Sequence, residues 1–272
     1  MGTEIAVADP KKTGMGTRLT SLLVRVPLIY AYTAILGTLA LLSSLFDRQG
    51  RVQHWFARMW SWLILKTAGC PLQVEGMDHI DTSQPHIYAV NHISALDIPT
   101  LYCGVPFQFR IMAKKELFRY PFLGWHLKRS GQIPIERENA RSSLRSLIQA
   151  STTVKGGMPL VVFPEGGRSE DGYIKDFLGG TFYVAIKAQV SIVPMAIVGT
   201  FEALPMNTYV VAPRRLRLIV GEPISTEGMA ARDMDILANT VKAAVEDLYY
   251  PHADVEDPRK NVPTGEELKA GN

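Results

Sequence analysis

Short apolar runs alternate with amphipathic stretches along the middle of the chain, between residues 86 and 249. Each apolar run is four to eight residues long, the length of a strand that is buried on both faces. In the amphipathic stretches apolar residues recur three and four positions apart, as Leu144, Leu147 and Ile148 do, which is typical of a helix with one buried face. We predict strands at residues 86–91, 107–112, 132–135, 160–163, 191–198 and 216–220, and helices at residues 95–102, 140–154, 180–188 and 230–249. This order predicts an α/β fold, in which a mainly parallel central sheet is flanked by helices.

The first 68 residues have a different pattern, which favours contact with a membrane. An uncharged run of 21 residues extends from residue 26 to residue 46, long enough to cross a bilayer as a helix. Residues 52–68 form an amphipathic segment rich in tryptophan, a side chain that favours the level of the lipid headgroups. Eight Lys or Arg residues stand against three Asp or Glu in residues 1–68, and the net charge of +5 suits an anionic membrane surface. We predict a two-helix membrane anchor here, which either spans the bilayer or dips in and returns.

Composition bounds the rest of the chain. We predict one α/β domain over residues 69–250 and a disordered tail over residues 251–272, which are polar and contain Pro and Gly. The two cysteines, Cys70 and Cys103, belong to no CxxC or histidine-rich cluster, so neither a metal site nor a disulfide framework is predicted. The sequence holds no dinucleotide fingerprint and no Walker loop, and we expect no cofactor and no nucleic-acid partner.

One pair of residues suggests chemistry directly. His92 and Asp97 follow the first predicted strand of the domain and stand five positions apart. Five residues of helix turn through about 500°, so the side chains meet only if His92 precedes a helix and Asp97 lies in its first turn. Ser94 is a suitable N-cap for that helix. An imidazole oriented by a carboxylate can act as a general base. The alternative is that Asp97 only completes a capping box and His92 is an ordinary loop residue.

Two later segments add residues suited to an anion. Glu136 and Arg137 follow one predicted strand, and the turn after another contains Gly166, Gly167 and Arg168. The guanidinium group of arginine is a rigid fork of donors that suits phosphate oxygens. Consecutive glycines let the backbone turn its N–H groups toward an anion. Two such arginines at strand ends, in a chain with a histidine–aspartate pair, indicate a phosphate site.

Taken together, these segments resemble the glycerophospholipid acyltransferases, and in particular the bacterial 1-acyl-sn-glycerol-3-phosphate acyltransferases. The family's blocks include Asn-His-x4-Asp and Phe-Pro-Glu-Gly-Thr-Arg-Ser. Four motifs match in the family's order, at residues 91–97, 131–137, 163–169 and 192–197. Residues 113–117 also look like the basic segment that usually lies between the first two blocks. The resemblance covers about residues 86–198.

The chain departs from the family pattern at three places. Glu136 stands where aspartate is more usual, and Gly167 stands where threonine is common. Residues 176–182 lack the lysines often found before their phenylalanine. The second and third departures leave the acyl acceptor open, whereas the His92–Asp97 pair is intact.

The resemblance implies a role for each site residue. His92, oriented by Asp97, takes the proton from the free hydroxyl of a lysophospholipid, and the hydroxyl oxygen attacks the thioester of an acyl donor directly. A serine or cysteine nucleophile is not required, since neither stands in a nucleophile-elbow context.

The same resemblance implies a substrate-binding set. Lys115, Arg137 and Arg168 are the candidates for binding the acceptor phosphate, and Glu165 with Gly166 shapes the loop. No metal is implied.

The expected function is acyl transfer to 1-acyl-sn-glycerol-3-phosphate, which makes phosphatidic acid. The donor is acyl-CoA or acyl-carrier protein, and the expected location is the cytoplasmic face of the bacterial inner membrane, in contact with membrane lipids. Another acceptor, a lyso-aminolipid or glycerol-3-phosphate, is an alternative. A non-catalytic membrane protein that binds lipid is a further one.

Overall fold

A computed structural model describes residues 14–47, 49–136 and 139–261. Its centre is one sheet with the strand order β1-β7-β6-β2-β5-β3-β4. Neighbouring strands are parallel except β6 and β7, which are antiparallel. The strands are β1 (Leu72–Glu75), β2 (Ile87–Val90), β3 (Arg110–Lys114), β4 (Ile133–Ile135), β5 (Leu160–Val162), β6 (Ile192–Val198) and β7 (Leu216–Val220). The prediction of an α/β fold with a mainly parallel sheet is confirmed.

Helices precede the sheet and cover both of its faces. They are α1 (Met15–Ser43), α2 (Arg51–Ala68), α3 (Asp97–Gly104), α4 (Leu123–Arg129), α5 (Ala140–Lys155), α6 (Gly179–Ala188), α7 (Thr200–Ala203) and α8 (Met234–Tyr249). Single 3₁₀ turns lie at Met77–His79, Lys115–Arg119, Ala231–Asp233 and Pro258–Asn261. The predicted strands and helices all form, whereas β1, α4 and α7 were not predicted because each is too short to show a period.

Burial on both faces explains why the strands are continuous apolar runs. All seven residues of β6 are buried, as expected for a parallel sheet with helices on both sides. One cluster, which includes Phe182 and Val241, fills the space between the sheet and α5, α6 and α8. Two others, which include Leu101 and Leu65, lie under α3 and α2 on the opposite face. Residues 251–261 of the predicted tail are described, with a 3₁₀ turn at Pro258–Asn261, and the rest of that tail lies outside the described residues.

The N-terminal helices differ in how they expose apolar surface. Among the described residues, α1 is the one helix long and apolar enough to cross a membrane. It begins before the uncharged run and includes a π-helical turn at Ser21–Arg25. It packs against α2, where Trp60 Nε1 donates a hydrogen bond to Thr33 Oγ1 at 2.8 Å. Leu23 of α1 is 71% exposed and Ile35 is 61% exposed, so most of its apolar surface faces away from the domain.

Two glycines allow two causes of lost stability to be compared: a side chain at a positive φ, and a steric clash of the added Cβ. Gly76 (φ +77°) and Gly157 (φ +89°) both have positive φ, but a Cβ at Gly76 would overlap the carbonyl oxygen of Val220, while one at Gly157 meets nothing. Gly157→Ala should lose about 1–2 kcal/mol, which lowers the melting temperature by roughly 2–8 °C. Gly76→Ala should lower it clearly further, because β1 must also move away from β7. If a thermal melt showed the same fall in melting temperature for both variants, the close approach of β1 and β7 at Gly76 would be contradicted.

Candidate active site

Parallel strands bring the predicted site residues to one edge of the sheet. His92 follows β2, Lys115 follows β3, and the turn containing Glu165 and Arg168 follows β5. Because β6, β2, β5, β3 and β4 are neighbours and parallel, their carboxyl ends all lie at this edge. This is where ligand sites form in open α/β sheets.

The structure brings His92 and Asp97 into contact. Asp97 is the first residue of α3, and its Oδ2 lies 2.8 Å from His92 Nδ1. Because the carboxylate can only accept, Nδ1 is the nitrogen that carries the proton, which leaves Nε2 to accept one. The ring of Phe163 stacks against the imidazole with centroids 4.1 Å apart. The imidazole is therefore oriented by both a carboxylate and an aromatic face.

The carboxylate of Asp97 is fully buried and collects four hydrogen bonds. Besides His92, the backbone N–H groups of Ile93 and Ser94 donate to Oδ2 at 2.8 and 2.9 Å. The bond to Ser94 N is the one a capping box would make, so Asp97 caps the chain and orients His92 at once. Ser94 lies two residues before the N-cap, Leu96, rather than at it: its Oγ accepts a hydrogen bond from Leu96 N at 3.2 Å and donates to the carbonyl oxygen of Leu204 at 2.8 Å.

The fourth donor to Asp97 is a residue that sequence reasoning missed. Thr200 Oγ1 donates to Asp97 Oδ1 at 2.6 Å, and both side chains are buried. Thr200 begins α7, directly after Gly199, whose φ of +90° turns the chain at the end of β6. The two residues are 103 positions apart, so no spacing rule connects them. The only available signal was that Thr200 follows a predicted strand, and therefore lies at the same sheet edge.

Glu165 holds the backbone around His92. Its Oε1 accepts a hydrogen bond from His92 N at 2.6 Å, and its Oε2 accepts one from Lys175 N at 2.9 Å. Burial raises the pKa of Glu165 to about 7, although these two N–H donors act in the opposite direction. The carbonyl oxygen of His92 is also bonded, since Ser169 N donates to it at 2.8 Å. The β5 turn therefore fixes the position of His92, as expected of a residue that shapes the loop.

The structure describes two of the three cations in the predicted phosphate set. Lys115 Nζ pairs with Glu136 Oε2 at 2.8 Å, while Arg137 lies outside the described residues. Gly166 has a φ of +78°, which makes the turn that its sequence predicted. Arg168 is exposed, and its carbonyl oxygen accepts a hydrogen bond from Lys175 Nζ at 2.6 Å. Lys175 is thus a second cation on this turn, one that the motifs did not identify.

Within residues 14–47, 49–136 and 139–261, no group of three or more His, Cys, Asp or Glu side chains is placed to hold a metal ion.

Comparison with known proteins concerns the family of the domain that contains this site. Residues 71–198 match the family model described as Acyltransferase. A chloroplastic 1-acyl-sn-glycerol-3-phosphate acyltransferase of Arabidopsis thaliana is 31% identical over 204 residues, which cover 74% of this chain and 55% of that protein. The 1-acyl-sn-glycerol-3-phosphate acyltransferase alpha of Mus musculus is 30% identical over 177 residues, which cover 64% of this chain and 62% of that protein. The chain thus spans somewhat more than half the length of these relatives.

A solved structure shares the fold. The 1-acyl-sn-glycerophosphate acyltransferase PlsC of Thermotoga maritima superimposes with a TM-score of 0.68 at 24% identity, over 85% of this chain and 97% of that one. At this identity the likeness concerns the fold alone. The family model and the relatives cover the motif region independently of the fold, and together they assign residues 71–198 to the acyltransferase family.

Proposed function

We propose that the chain transfers a fatty acyl group from a thioester donor to the free hydroxyl of 1-acyl-sn-glycerol-3-phosphate, which makes phosphatidic acid. The observation that carries this proposal is the 2.8 Å contact between His92 Nδ1 and the buried carboxylate of Asp97. The relatives named above are 1-acyl-sn-glycerol-3-phosphate acyltransferases, which supports this acceptor.

In the proposed mechanism the dyad activates the acceptor hydroxyl. His92 Nε2 takes the hydroxyl proton while the oxygen attacks the thioester carbonyl, and Asp97 stabilises the imidazolium that forms. When the tetrahedral intermediate collapses, the C–S bond breaks and the imidazolium returns the proton to the leaving thiolate. Cys70 is buried, and burial raises the pKa of the Cys103 thiol to about 11, so neither thiol is suited to form an acyl-enzyme.

Lys115, Arg137 and Arg168 are the residues we assign to the acceptor phosphate, with Gly166 in the turn beside them. The exposure of Arg168 and the position of Lys115 after β3, at the same sheet edge as His92, support this assignment. Gly167 leaves the site without the hydroxyl common in the family, and a Cβ there would meet nothing within 4 Å. That open space keeps a lyso-aminolipid or glycerol-3-phosphate as the second candidate acceptor.

An apolar cavity of about 410 Å³ supports a position for the acyl chain. It lies between α1, α2, α3, α4 and β3, and its lining includes Leu36, Trp60, Ile111 and Leu127. Ile98, which directly follows Asp97, also lines it, so one wall of the cavity belongs to the helix that begins with the dyad aspartate. A chain in this cavity would extend from the reacting carbonyl toward the N-terminal helices.

We further propose that the protein works at a membrane, on its cytoplasmic face, with residues 1–68 as the anchor. The exposed apolar surface of α1 supports this. Helix α1 contacts the rest of the protein along its length: Arg25 Nη1 donates to the carbonyl oxygen of Val211 at 2.8 Å, and Trp60 donates to Thr33. These contacts favour a helix that lies against the domain within one leaflet over one that leaves it to cross the bilayer.

The dyad is tested by acyl transfer from acyl-CoA or acyl-carrier protein to several lyso-lipid acceptors. His92→Ala should lower turnover roughly 10²–10⁴-fold because it removes the base, while the protein stays folded with a melting temperature lowered by the loss of one donor to Asp97. Asp97→Asn should also lose activity, since an amide presents an NH₂ group where donors already converge. Near-normal turnover of a folded His92→Ala variant would exclude this mechanism, and no transfer by the wild type to any acceptor would favour a non-catalytic lipid-binding protein.

Thr200 should act through Asp97. Thr200→Val preserves shape but removes one donor to a buried carboxylate, and we expect turnover to fall about tenfold. The carboxylate then stabilises the imidazolium more strongly, so the acidic limb of the pH–rate profile should move to higher pH. Thr200→Ser should restore both quantities.

A matched control for this prediction is Thr226→Val. Thr226 is also buried, and its Oγ1 donates to the carbonyl oxygen of Val190 at 2.9 Å, away from the dyad. It should lose stability without a change in the pH–rate profile. If both variants shift the profile equally, the role assigned to Thr200 is wrong.

The phosphate assignment predicts a change in acceptor binding. Replacement of Arg168 or Arg137 by alanine should raise the apparent KM for the lyso-lipid roughly 10- to 150-fold, the cost of a lost charge-assisted hydrogen bond. The KM for the acyl donor should change far less, and lysine should rescue only partly because it lacks the planar fork. Equal losses with phosphate-bearing and phosphate-free acceptors, in a variant with unchanged melting temperature, would place the phosphate elsewhere.

A further inference from the structure

The segment before and within α4, residues 120–125, exposes several large apolar side chains to solvent. Tyr120 and Trp125 are 59% and 58% exposed, and Phe122 and Leu123 are also exposed. We call these four residues, with Lys128 and Arg129 at the end of the helix, the α4 surface. Among the described residues, Tyr120 and Trp125 keep more than half of their surface uncovered, and all four apolar residues belong to the acyltransferase domain rather than to the N-terminal helices.

The α4 surface is continuous with the lipid-facing surface of α1. A groove between the two is lined by Leu41, Ser44 and Leu45 on one side and by Trp125, Lys128 and Arg129 on the other. Phe46, in the turn after α1, directly follows the groove residue Leu45 and is 92% exposed. The apolar surface therefore does not stop where the N-terminal helices stop.

A strained residue fixes α4 against α1. Phe122 has a φ of +64° and a ψ of −65°, the strained γ-turn conformation, and Leu123 N donates to the carbonyl oxygen of Pro121 at 2.7 Å across it. Its ring packs directly on Gly37 of α1, where a Cβ would overlap it. Strain of this kind persists only where packing imposes it, so the two elements present their exposed residues as one unit.

Charge identifies the chemistry that this surface fits. Residues 119–129 contain three Lys or Arg residues and no Asp or Glu. Exposed Tyr and Trp favour the headgroup level of a bilayer, and nearby basic residues favour anionic lipid. A protein partner would have to cover α1 as well, since the two surfaces share one groove.

We propose that the α4 surface is a second membrane contact, which inserts Tyr120, Leu123 and Trp125 at the headgroup level of an anionic bilayer while Lys128 and Arg129 pair with lipid phosphates. The inference rests on the membrane association proposed above and extends it to the acyltransferase domain. Phe122 and Leu123 also line the apolar cavity, so this contact brings that side of the cavity to the lipid.

The test uses the full chain with Cys70 and Cys103 replaced by alanine and one new cysteine that carries an environment-sensitive fluorophore. Trp125→Cys is the test position, and Phe46→Cys, just after α1, reports whether the N-terminal helices contact the membrane. Ile236→Cys on α8 is a control of similar exposure, 66%. The protein is reconstituted in phosphatidylcholine vesicles with phosphatidylglycerol and a lipid-attached quencher. The probes at 125 and 46 should shift to the blue and be quenched, and the probe at 236 should not.

Charge is tested in the same vesicles. Lys128→Gln with Arg129→Gln should reduce quenching at position 125, whereas the control pair Lys187→Gln with Arg232→Gln, on exposed residues of the opposite face, should not. Should the cysteine-free chain fail to fold, quenching of tryptophan by brominated lipid in wild type and Trp125→Phe gives the same comparison.

The outcomes separate the two proposals. Quenching at 46 without quenching at 125 overturns the α4 contact and leaves the α1 anchor standing. A blue shift at 125 without quenching points to a protein partner, such as a second copy of the chain, and also overturns it. Loss of quenching at both positions overturns the membrane association itself.

Discussion

The buried carboxylate of Asp97 is the constraint on which the site depends. A carboxylate with no exposed surface is costly unless hydrogen bonds replace its water, and here four donors do so. Three of them come from the loop after β2, and the fourth, Thr200, comes from the end of β6. The carboxylate is therefore satisfied only when β2 and β6 are paired in register, which ties the geometry of the dyad to the sheet.

The same logic explains how His92 is held. Its side chain bonds to Asp97, its backbone N–H bonds to Glu165, and its carbonyl oxygen accepts from Ser169. Two neighbouring strands, β2 and β5, thus fix one residue through both its side chain and its peptide groups. A base held in this way loses little freedom when the substrate binds, which is the benefit of a preorganised site. Because Glu165 and Ser169 hold the backbone of His92, the motif after β5 (residues 163–169) is needed together with the motif after β2 (residues 91–97).

Particular elements show what the sequence could predict. The strands were recognised because burial on both faces makes them continuous apolar runs, and the His92–Asp97 contact followed from a five-residue spacing within one turn. Thr200 and the backbone role of Glu165 were not accessible, since each depends on pairing between distant strands. The edge strand β1 was missed because four half-buried residues show no distinctive pattern. Ser94 was misplaced because an N-cap and a nearby loop serine share the same spacing to Asp97.

In the proposed reaction the acyl group passes directly from the donor to the acceptor hydroxyl, without an acyl-enzyme. The measurement that tests it is the mass of the intact protein, together with thiol release, after incubation with acyl-CoA in the absence and presence of 1-acyl-sn-glycerol-3-phosphate. Direct transfer should give no added mass and no burst of thiol without acceptor, and equal amounts of thiol and phosphatidic acid once acceptor is present. A protein that gains the mass of one acyl group, with a matching burst of thiol before acceptor is added, would contradict it.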